Sequence, residues 1–461
     1  MPTTIATRLA NHFQKFDYHG LSAATTTAVK RLLLDYLGVA IAGSQTGSGK
    51  VAREFVKSTG GRADASLIGD TARVPAAQAA FANAISSHSI ELDDIDVLAL
   101  FHFSPPVFSA ALAVAEQQGA SGKQLLVALA AGCEMMERVS KAANSSLRNR
   151  GYHSTPTCGV FGATVAAAKL YKLTPLKLAS AFGLAGAQAS GLMEMYGPSM
   201  QKRFNPGPAA RNGITAAGMA DFGFTGADTI FEGERGFLRA FTDKHDAKQL
   251  VAGLTKPYQL DIEFKPYSCA RPIHNAIDCA LEILKRDRPV LGAIKRIDIL
   301  RHPDWAHYHK NKTPQTYHEA QVSLPYAVAV ALKEGQALLA QFVDRKLKDP
   351  VLRRISDLVE IKVDASLPRG VSCRMTMIMK DGRKFVSQVD YPKGSIQNPM
   401  TDDELRAKFE SLAQPVLGAG RATRIADLVN SIEKCADVAE LMRLTAKPDS
   451  KPKRKAAARK K

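Results

Sequence analysis

The spacing of apolar residues constrains this fold most, because it stays helical from the start of the chain to about residue 255. In the stretch "AATTTAVKRLLLDYLGVAIAG", for example, Val29, Leu33 and Tyr36 share one helical face. No strand-like segment alternates with the helices, so a doubly wound sheet is disfavoured. Further helices are predicted at 76–88, 106–118, 122–146, 159–172, 176–192, 208–221 and 226–231.

The pattern changes after residue 265. A predicted helix near 273–286 is followed by "IKRIDILRH" and "SCRMTMIMKDGRKFVSQVDYPKG", which alternate as strands do. The letters "MKDGRK" are typical of a hairpin turn. These features predict a smaller α+β domain over residues 266–399.

Helical spacing returns near the C-terminus. Thr401 is followed by three acidic residues, which is typical of a helix start, and the chain is helical again to about residue 445. We therefore predict a mainly α protein with a large all-helical domain formed by residues 1–265 and 400–446. The α+β domain would be inserted before the C-terminal helices as a lid.

Charge is concentrated at the end of the chain. The formal net charge is +18, and residues 447–461 contribute +7 of it from six Lys, two Arg and one Asp. This segment has no apolar period, so we predict a disordered basic tail. A nucleic-acid partner is not expected, because the rest of the chain has no nucleic-acid-binding motif. The remaining positive charge suits a small anionic substrate.

Several functional classes lack their sequence signals. The six cysteines are scattered without a C-x-x-C pair, which disfavours a zinc ribbon or an iron–sulfur cluster. No P-loop, no G-x-S-x-G motif and no G-x-G-x-x-G after a strand is present. The N-terminus has no continuous apolar stretch, so we expect a cytoplasmic protein, and the least charged segment reads as a buried helix rather than a membrane span.

Titratable residues crowd around Gly and Pro in four places. The first is "HSIELDDIDVLALFHFSPP", which contains Glu91, Asp94 and His102 and has four carboxylates within six residues. Such carboxylates repel one another, so at least one needs a raised pKa, a cation partner or solvent exposure. A solvated acidic loop and a metal site are the two alternative interpretations, and the pattern is weak evidence for a metal.

The other three places supply bases and cations. His153 lies in "GYHSTPTCGVFG" beside hydroxyls and a proline, and Lys202 lies in "GPSMQKRFNPGPAARNG". Lys265, Arg271 and His274 follow one another at the predicted domain junction, and clefts between domains are common ligand sites. Each has a structural alternative, since a lone histidine or a basic turn is often only a scaffold. Together they suit proton abstraction next to a carboxylate.

The order of these clusters resembles the MmgE/PrpD family, from roughly residue 5 to 445. That family includes 2-methylcitrate dehydratase, cis-aconitate decarboxylase and iminodisuccinate epimerase. The resemblance implies a homodimer, a site between the helical domain and the lid, and catalysis without a metal or organic cofactor. The acidic segment "HSIELDD" resembles the family's H-x-L-D-[FY]-[DN]-D motif.

By position in the family motifs, the resemblance implies catalytic roles for five residues. They are Glu91, His102, His153, Lys202 and Lys265. His153 is implied as the main proton carrier at the start of a helix, whereas His102 with Glu91 would handle the leaving group or a second proton.

Substrate binding is predicted for three further residues, Asp94, Arg271 and His274. The chain departs from the family where Glu91 replaces the usual Asp and Ile95 the frequent Thr.

The sequence therefore predicts a cofactor-independent lyase, of the dehydratase type, for a small di- or tricarboxylic acid. An epimerase, isomerase or decarboxylase on the same scaffold is the nearest alternative. Two alternatives come from other classes: a nucleic-acid-associated protein using its basic tail, and a polycarboxylate-binding protein that has lost activity.

Overall fold

The computed structural model describes residues 3–96, 101–195, 199–368 and 372–447. Helices dominate the first part of the chain, which confirms the prediction of a mainly α protein. These helices are α1 (Ile5–Gln14), α2 (Ala23–Gly43), α3 (Gly47–Thr59), α4 (Ala76–Ser87), α5 (Ser104–Gln118), α6 (Gly122–Ala143), α7 (Ser146–Asn149), α8 (Ser154–Tyr171), α9 (Pro175–Gly186), α10 (Gln201–Phe204), α11 (Pro206–Asp221), α12 (Phe237–Phe241) and α13 (Lys248–Val251). A two-stranded antiparallel ribbon, β1 (Ala65–Ser66) and β2 (Arg73–Val74), joins α3 to α4.

The following part combines helices with a sheet, as predicted. Its helices are α14 (His274–Asp287), α15 (Pro303–Ala306), α16 (Tyr317–Ala320), α17 (Leu324–Glu334), α18 (Asp344–Leu347) and α19 (Pro350–Asp357). The strands β3 (Ile294–Arg301), β4 (Val359–Val363), β5 (Cys373–Met379) and β6 (Lys384–Val389) lie in the order β4-β3-β5-β6. Strand β3 is parallel to β4 and antiparallel to β5, which pairs antiparallel with β6. The hairpin predicted from "MKDGRK" is confirmed, with Gly382 at φ +88° in its turn.

Helices α20 (Asp402–Leu417), α21 (Ala419–Asn430) and α22 (Ala439–Leu444) follow the sheet. One hydrophobic core takes its residues from Ala6 to Phe264 and again from Met400 to Leu444. A second core lies between Cys269 and Val389. The predicted borders at 265 and 399 fall between these cores, whereas the role of the α+β part as a lid stays a prediction.

The helix start predicted at Thr401 is confirmed, as are those indicated by the letters "SGKQ" and "TPLK". Ser121 and Thr401 each form a capping box, with Gln124 and Glu404 three residues later. Thr174 caps α9 by accepting a hydrogen bond from the N–H of Lys177. These caps satisfy backbone donors that a helix would otherwise leave without a partner.

Helix α8 packs against α6 with almost no side-chain space between them. A Cβ added to Gly132 would lie 2.9 Å from the carbonyl oxygen of Gly162. Only glycine allows the two backbones to approach this closely. The contact fixes the position of α8, which begins at Ser154 directly after His153.

Two predicted helices differ from the structure. The helix predicted at 176–192 ends at Gly186, and Gly191 has φ +121°, a backbone conformation that does not continue a helix. The helix predicted at 226–231 is wrong, because this segment forms turns. Its backbone lies directly against α9, where a Cβ on Gly183 would meet the nitrogen of Ala227 at 2.5 Å.

The basic tail lies outside the described residues except for Lys447, whose Nζ donates to Oε1 of Gln45 at 3.4 Å. In the ranges that are described, no helix has both the length and the apolar character needed to cross a bilayer.

Candidate functional site

The segment after α4 forms the centre of the candidate site. Residues 88–96 leave the helix, and Glu91 takes φ +54° in the left-handed region. A non-glycine residue in this region costs of order 1–3 kcal/mol and persists only when its surroundings hold it there. Such strain marks Glu91 as a residue whose position is fixed by other contacts.

Three cations surround the Glu91 carboxylate. Lys202 and Arg203 both pair with Oε1, Arg203 at 2.5 Å, and Lys265 lies 3.3 Å from Oε2. Burial alone would raise the pKa of Glu91, but Lys202, Lys265 and Arg203 outweigh it and hold this pKa well below its usual range. Burial lowers the pKa of Lys202 to about 8 despite the opposing effect of Glu91. We name Glu91, Asp93, Lys202, Arg203 and Lys265 the Glu91 cluster.

Asp93 orients two histidine rings. Its Oδ2 lies 2.6 Å from Nδ1 of His88 and 3.2 Å from Nδ1 of His102. Nδ1 of His102 also donates to the carbonyl oxygen of Asp94 at 2.5 Å, so the proton sits on Nδ1 and Nε2 is free to act as a base. Burial lowers the pKa of His102 to about 3 although Asp93 opposes this effect. His102 is therefore a neutral imidazole when the site is empty.

Asp94 has a different role from its neighbour. One carboxylate oxygen accepts from the N–H of Phe103 at 2.7 Å, and the other accepts from the N–H and hydroxyl of Ser104. Burial and the nearby Asp93 raise the pKa of Asp94 to about 7. Both oxygens are thus occupied at the start of α5, and the predicted substrate contact by Asp94 stays a prediction.

His153 lies at the start of α8, as expected, and faces the same region. Its Nδ1 accepts a hydrogen bond from Nδ2 of Asn205 at 3.1 Å, which leaves the ring proton on Nε2. The rings of His153 and His88 are 6.1 Å apart between centroids. Burial, followed by His88 and His102, holds the pKa of His153 well below its usual range. His153 and His102 therefore carry their protons on opposite ring nitrogens.

Arg271 and His274 form a separate group with Glu263, named here the Arg271 cluster. Nε and Nη2 of Arg271 lie 2.9 and 2.8 Å from Oε2 of Glu263. Nη1 donates to Nδ1 of His274 at 3.2 Å, and Nε2 of His274 donates to the carbonyl oxygen of Cys269 at 3.1 Å. The structure does not bring these side chains to Glu91, and their predicted substrate binding stays a prediction.

The described residues include one group that could hold a metal ion. The ligand atoms of His88, Asp93 and His102 all lie within 4.8 Å of one another. The ammonium of Lys265 already lies 3.8 Å from Oδ1 of Asp93 and supplies positive charge there. Catalysis without a metal stays a prediction that a chelator can test.

Sequence reasoning missed several residues of this site. Arg203 is not one of them, because it follows Lys202 in the segment "GPSMQKRFNPGPAARNG", which the sequence indicates as a source of cations for an anion. Nη2 of Arg203 donates to Oε1 of Gln321 at 3.1 Å, which connects the site to α16. His309 and His318 belong to the same region, where burial lowers each pKa to about 4 and Arg203, Lys202 and Glu91 contribute to the shift of His318.

The chain belongs to the MmgE/PrpD family. Residues 7–250 match the MmgE/PrpD N-terminal domain, and residues 267–434 match the MmgE/PrpD C-terminal domain. The two matches confirm the resemblance read from the motifs, and they meet near the border between the two cores.

Its relatives include decarboxylases from fungi and mammals. A cis-aconitate decarboxylase-like protein, oryM, of Aspergillus oryzae is 31% identical over 95% of this chain and 97% of its own length. The cis-aconitate decarboxylase of Aspergillus terreus is 29% identical, with 84% of each chain covered. The human cis-aconitate decarboxylase is 28% identical, with 93% of each chain covered. These similarities place the chain among enzymes of the lyase type.

Proposed function

We propose that this protein is a cofactor-independent lyase that decarboxylates a small unsaturated tricarboxylic acid of the cis-aconitate type. The observation that carries the proposal is the Glu91 cluster, in which three cations meet two buried carboxylates with lowered pKa. One positive charge remains in excess beside neutral histidines. Such a buried cationic site attracts a polycarboxylate and stabilises negative charge that develops during a reaction.

The cations would act on the bond-breaking step. In decarboxylation the bond between a carboxylate carbon and its neighbour breaks, carbon dioxide leaves, and the electron pair stays on the substrate. This negative charge spreads over the double bond towards a remaining carboxylate. Lys202, Arg203 and Lys265 would hold the remaining carboxylates and stabilise the carbanion before a proton reaches it.

The proton would come from a histidine that the substrate itself has charged. His102 is neutral in the empty site, but a bound tricarboxylate brings negative charge and therefore raises the pKa of His102. Asp93, which holds Nδ1, would stabilise the imidazolium, and Nε2 would deliver the proton to carbon. His153, which carries its proton on Nε2, would donate a hydrogen bond or act as the second proton carrier.

Dehydration is the second candidate, and the tautomers of the two histidines favour it. Elimination of water needs a base and an acid at once. His102 offers a lone pair on Nε2 while His153 offers N–H, so the pair meets this requirement. The hydro-lyase predicted from the sequence therefore stays open, as does an epimerase that returns the proton to the other face.

The test is proton NMR of the purified protein in D₂O with cis-aconitate, citrate-type, malate-type and aspartate-derived acids. A new alkene product containing one deuterium, together with release of carbon dioxide, is expected for cis-aconitate. Loss or gain of water without carbon dioxide would instead establish a dehydratase, and deuterium entry without any other change an epimerase. No change in any acid by a folded protein would overturn the proposal.

The same assay tests the absence of a metal. Protein treated with EDTA and dialysed should keep the turnover of the untreated protein, and added Zn²⁺ or Mg²⁺ should not raise it. Loss of turnover that returns with one added metal would assign His88, Asp93 and His102 to a metal centre.

The homodimer implied by the family and the cytoplasmic location expected from the sequence remain proposals. Light scattering after gel filtration tests the dimer, for which we expect twice the chain mass of 49.7 kDa. A mass of one chain would contradict it.

A further inference from the structure

We propose that Lys408 and Gln321 are positioning residues that hold the backbone on both sides of Glu91. The inference rests on the proposed function, which makes Glu91 part of a catalytic site. The contacts themselves do not depend on the substrate. The left-handed conformation of Glu91 requires such support, and these two side chains come from distant parts of the chain.

Lys408 fixes the carbonyl after Glu91. Its Nζ donates to the carbonyl oxygen of Leu92 at 2.8 Å and to Oδ1 of Asp35 at 2.5 Å. Asp35 and Lys408 are buried, on α2 and α20. The ammonium of Lys408 has three N–H donors, of which one bonds its acid partner and another bonds the backbone directly after Glu91.

Gln321 fixes the carbonyl before Glu91. Its Nε2 donates to the carbonyl oxygen of Ile90 at 2.9 Å, and the hydroxyl of Ser268 donates to the same oxygen at 2.8 Å. Oε1 of Gln321 accepts from Arg203 at 3.1 Å. Gln321 is fully buried and thus ties the backbone of the acidic segment to one of its cations.

The two contacts act together on Glu91. With Ile90 and Leu92 both held, the residue between them has little freedom to leave the left-handed region. Its carboxylate therefore stays beside Lys202, Arg203 and Lys265. Loss of either donor should let Glu91 relax, and a displacement of about 1 Å can lower the rate ~10²-fold.

The pKa of Lys202 is expected to change when the Glu91 carboxylate is displaced. Glu91 opposes the effect of burial on the pKa of Lys202, so a retreating carboxylate should lower that pKa further below about 8. Among the described residues, the charged and titratable groups that act on Lys202 or on which it acts include Glu91, Arg203, Lys265, His88, His102, His153, His309 and His318. Asp35 acts electrostatically on Lys265, which is one of these groups, so the Lys408 and Asp35 pair changes the field at Lys202 as well. Gln321→Met removes no charge and therefore gives the more specific readout of the pKa of Lys202.

The experiment compares Gln321→Met and the pair Lys408→Met with Asp35→Asn, which avoids leaving a buried charge alone. The pKa of Lys202 is measured by NMR with ¹³C at the lysine ε-carbon, and kcat and KM are measured on the substrate found above. We expect a lower pKa of Lys202 and a roughly 10- to 100-fold lower kcat in both variants. The alkaline limb of kcat/KM should move to lower pH.

Glu116→Gln is the matched control. Glu116 is buried, pairs with Arg73 and accepts from the N–H and hydroxyl of Ser66. Its loss should reduce stability without moving the pKa of Lys202 or the pH profile. If Lys408→Met with Asp35→Asn does not fold, Gln321→Met carries the test.

The outcomes separate the two proposals. Folded variants with the wild-type pKa of Lys202 and wild-type kcat would overturn the positioning role even if they are less stable. A wild-type protein without turnover would overturn the proposed function. The NMR measurement would still decide whether the two residues position Glu91.

Discussion

The Glu91 cluster and the Arg271 cluster contain similar residue types in similar burial, yet they differ in how charges are matched. Among the described residues Arg271 forms one ion pair, with Glu263, and both ring nitrogens of His274 have partners. Glu91, by contrast, has three cations, a left-handed backbone and a neighbour, His88, whose Nε2 has no hydrogen-bond partner among the described residues. Excess positive charge and a left-handed backbone, rather than residue type, distinguish the candidate site.

The largest expected effect is on catalysis. His102→Gln should lower kcat by ~10²–10⁴, because it removes the proposed proton carrier, whose ring Asp93 orients. His12→Gln serves as the control, since His12 bonds Glu134 through Nε2 at 3.0 Å, and it should keep kcat. A folded His102→Gln variant with normal turnover would contradict the proposal that catalysis takes place at the Glu91 cluster.

The next effect is on stability and concerns the other cluster. Arg271→Met should lower the free energy of unfolding by ~3–5 kcal/mol, because it leaves the Glu263 carboxylate buried without its cation. Urea denaturation measures this loss, and adding Glu263→Gln should recover part of it. A variant of normal stability with a KM raised more than about tenfold would instead place Arg271 in substrate binding, as the sequence predicts.

A smaller effect should appear in the pH dependence of stability. Burial lowers the pKa of His102 to about 3 and that of His274 well below its usual range. The unfolded chain binds protons at these rings below about pH 6.5 whereas the folded chain does not, so stability is lost as pH falls from 6.5 towards 3. Each ring should contribute a slope of up to about 1.4 kcal/mol per pH unit.

Unfolding in urea at pH 7.5, 6.5 and 5.5 measures this slope. His102→Gln and His274→Gln should each reduce this slope by the contribution of one histidine ring, since each cluster holds a neutral histidine. Asp94, with its pKa raised to about 7, contributes a slope of opposite sign to the wild-type protein and to both variants. A slope that neither His102→Gln nor His274→Gln reduces would therefore contradict the neutral state of these rings.

The smallest expected effect is the uptake of a proton when a ligand binds. Binding of an unreactive tricarboxylate at pH 7 should take up on the order of one proton, because the ligand raises the pKa of His102. Calorimetry in buffers of different ionisation enthalpy measures the uptake. His102→Gln should reduce it and His274→Gln should not, since the ligand is expected at the Glu91 cluster. Equal uptake in the wild-type protein and both variants would place the proton elsewhere.

Much of the fold could be predicted from local sequence patterns. Caps at Ser121 and Thr401 and the turn before Lys384 are readable because each depends on residues a few positions apart. The predicted helix at 226–231 failed because a contact with α9 decides its conformation, and that contact is remote in sequence.

The site was predictable only in part for the same reason. The acidic segment, His153 and Lys202 stand out in the sequence, and the segment's need for a cation partner followed from its charge. The sequence did not show which cations pair with Glu91, because Lys265 is 174 residues from it. Lys408 lies within the helical stretch "DDELRAKFES", where it reads as a surface residue, and only the structure shows it bonded to Leu92.

The bond between Lys408 and Asp35 also affects when the chain can fold during translation. The two residues are 373 positions apart, so α2 leaves the ribosome long before its cation is synthesised. Until α20 arrives, closing the helical core around an ionised Asp35 is unfavourable. The nascent chain should therefore stay loosely packed around the candidate site until translation has passed residue 408.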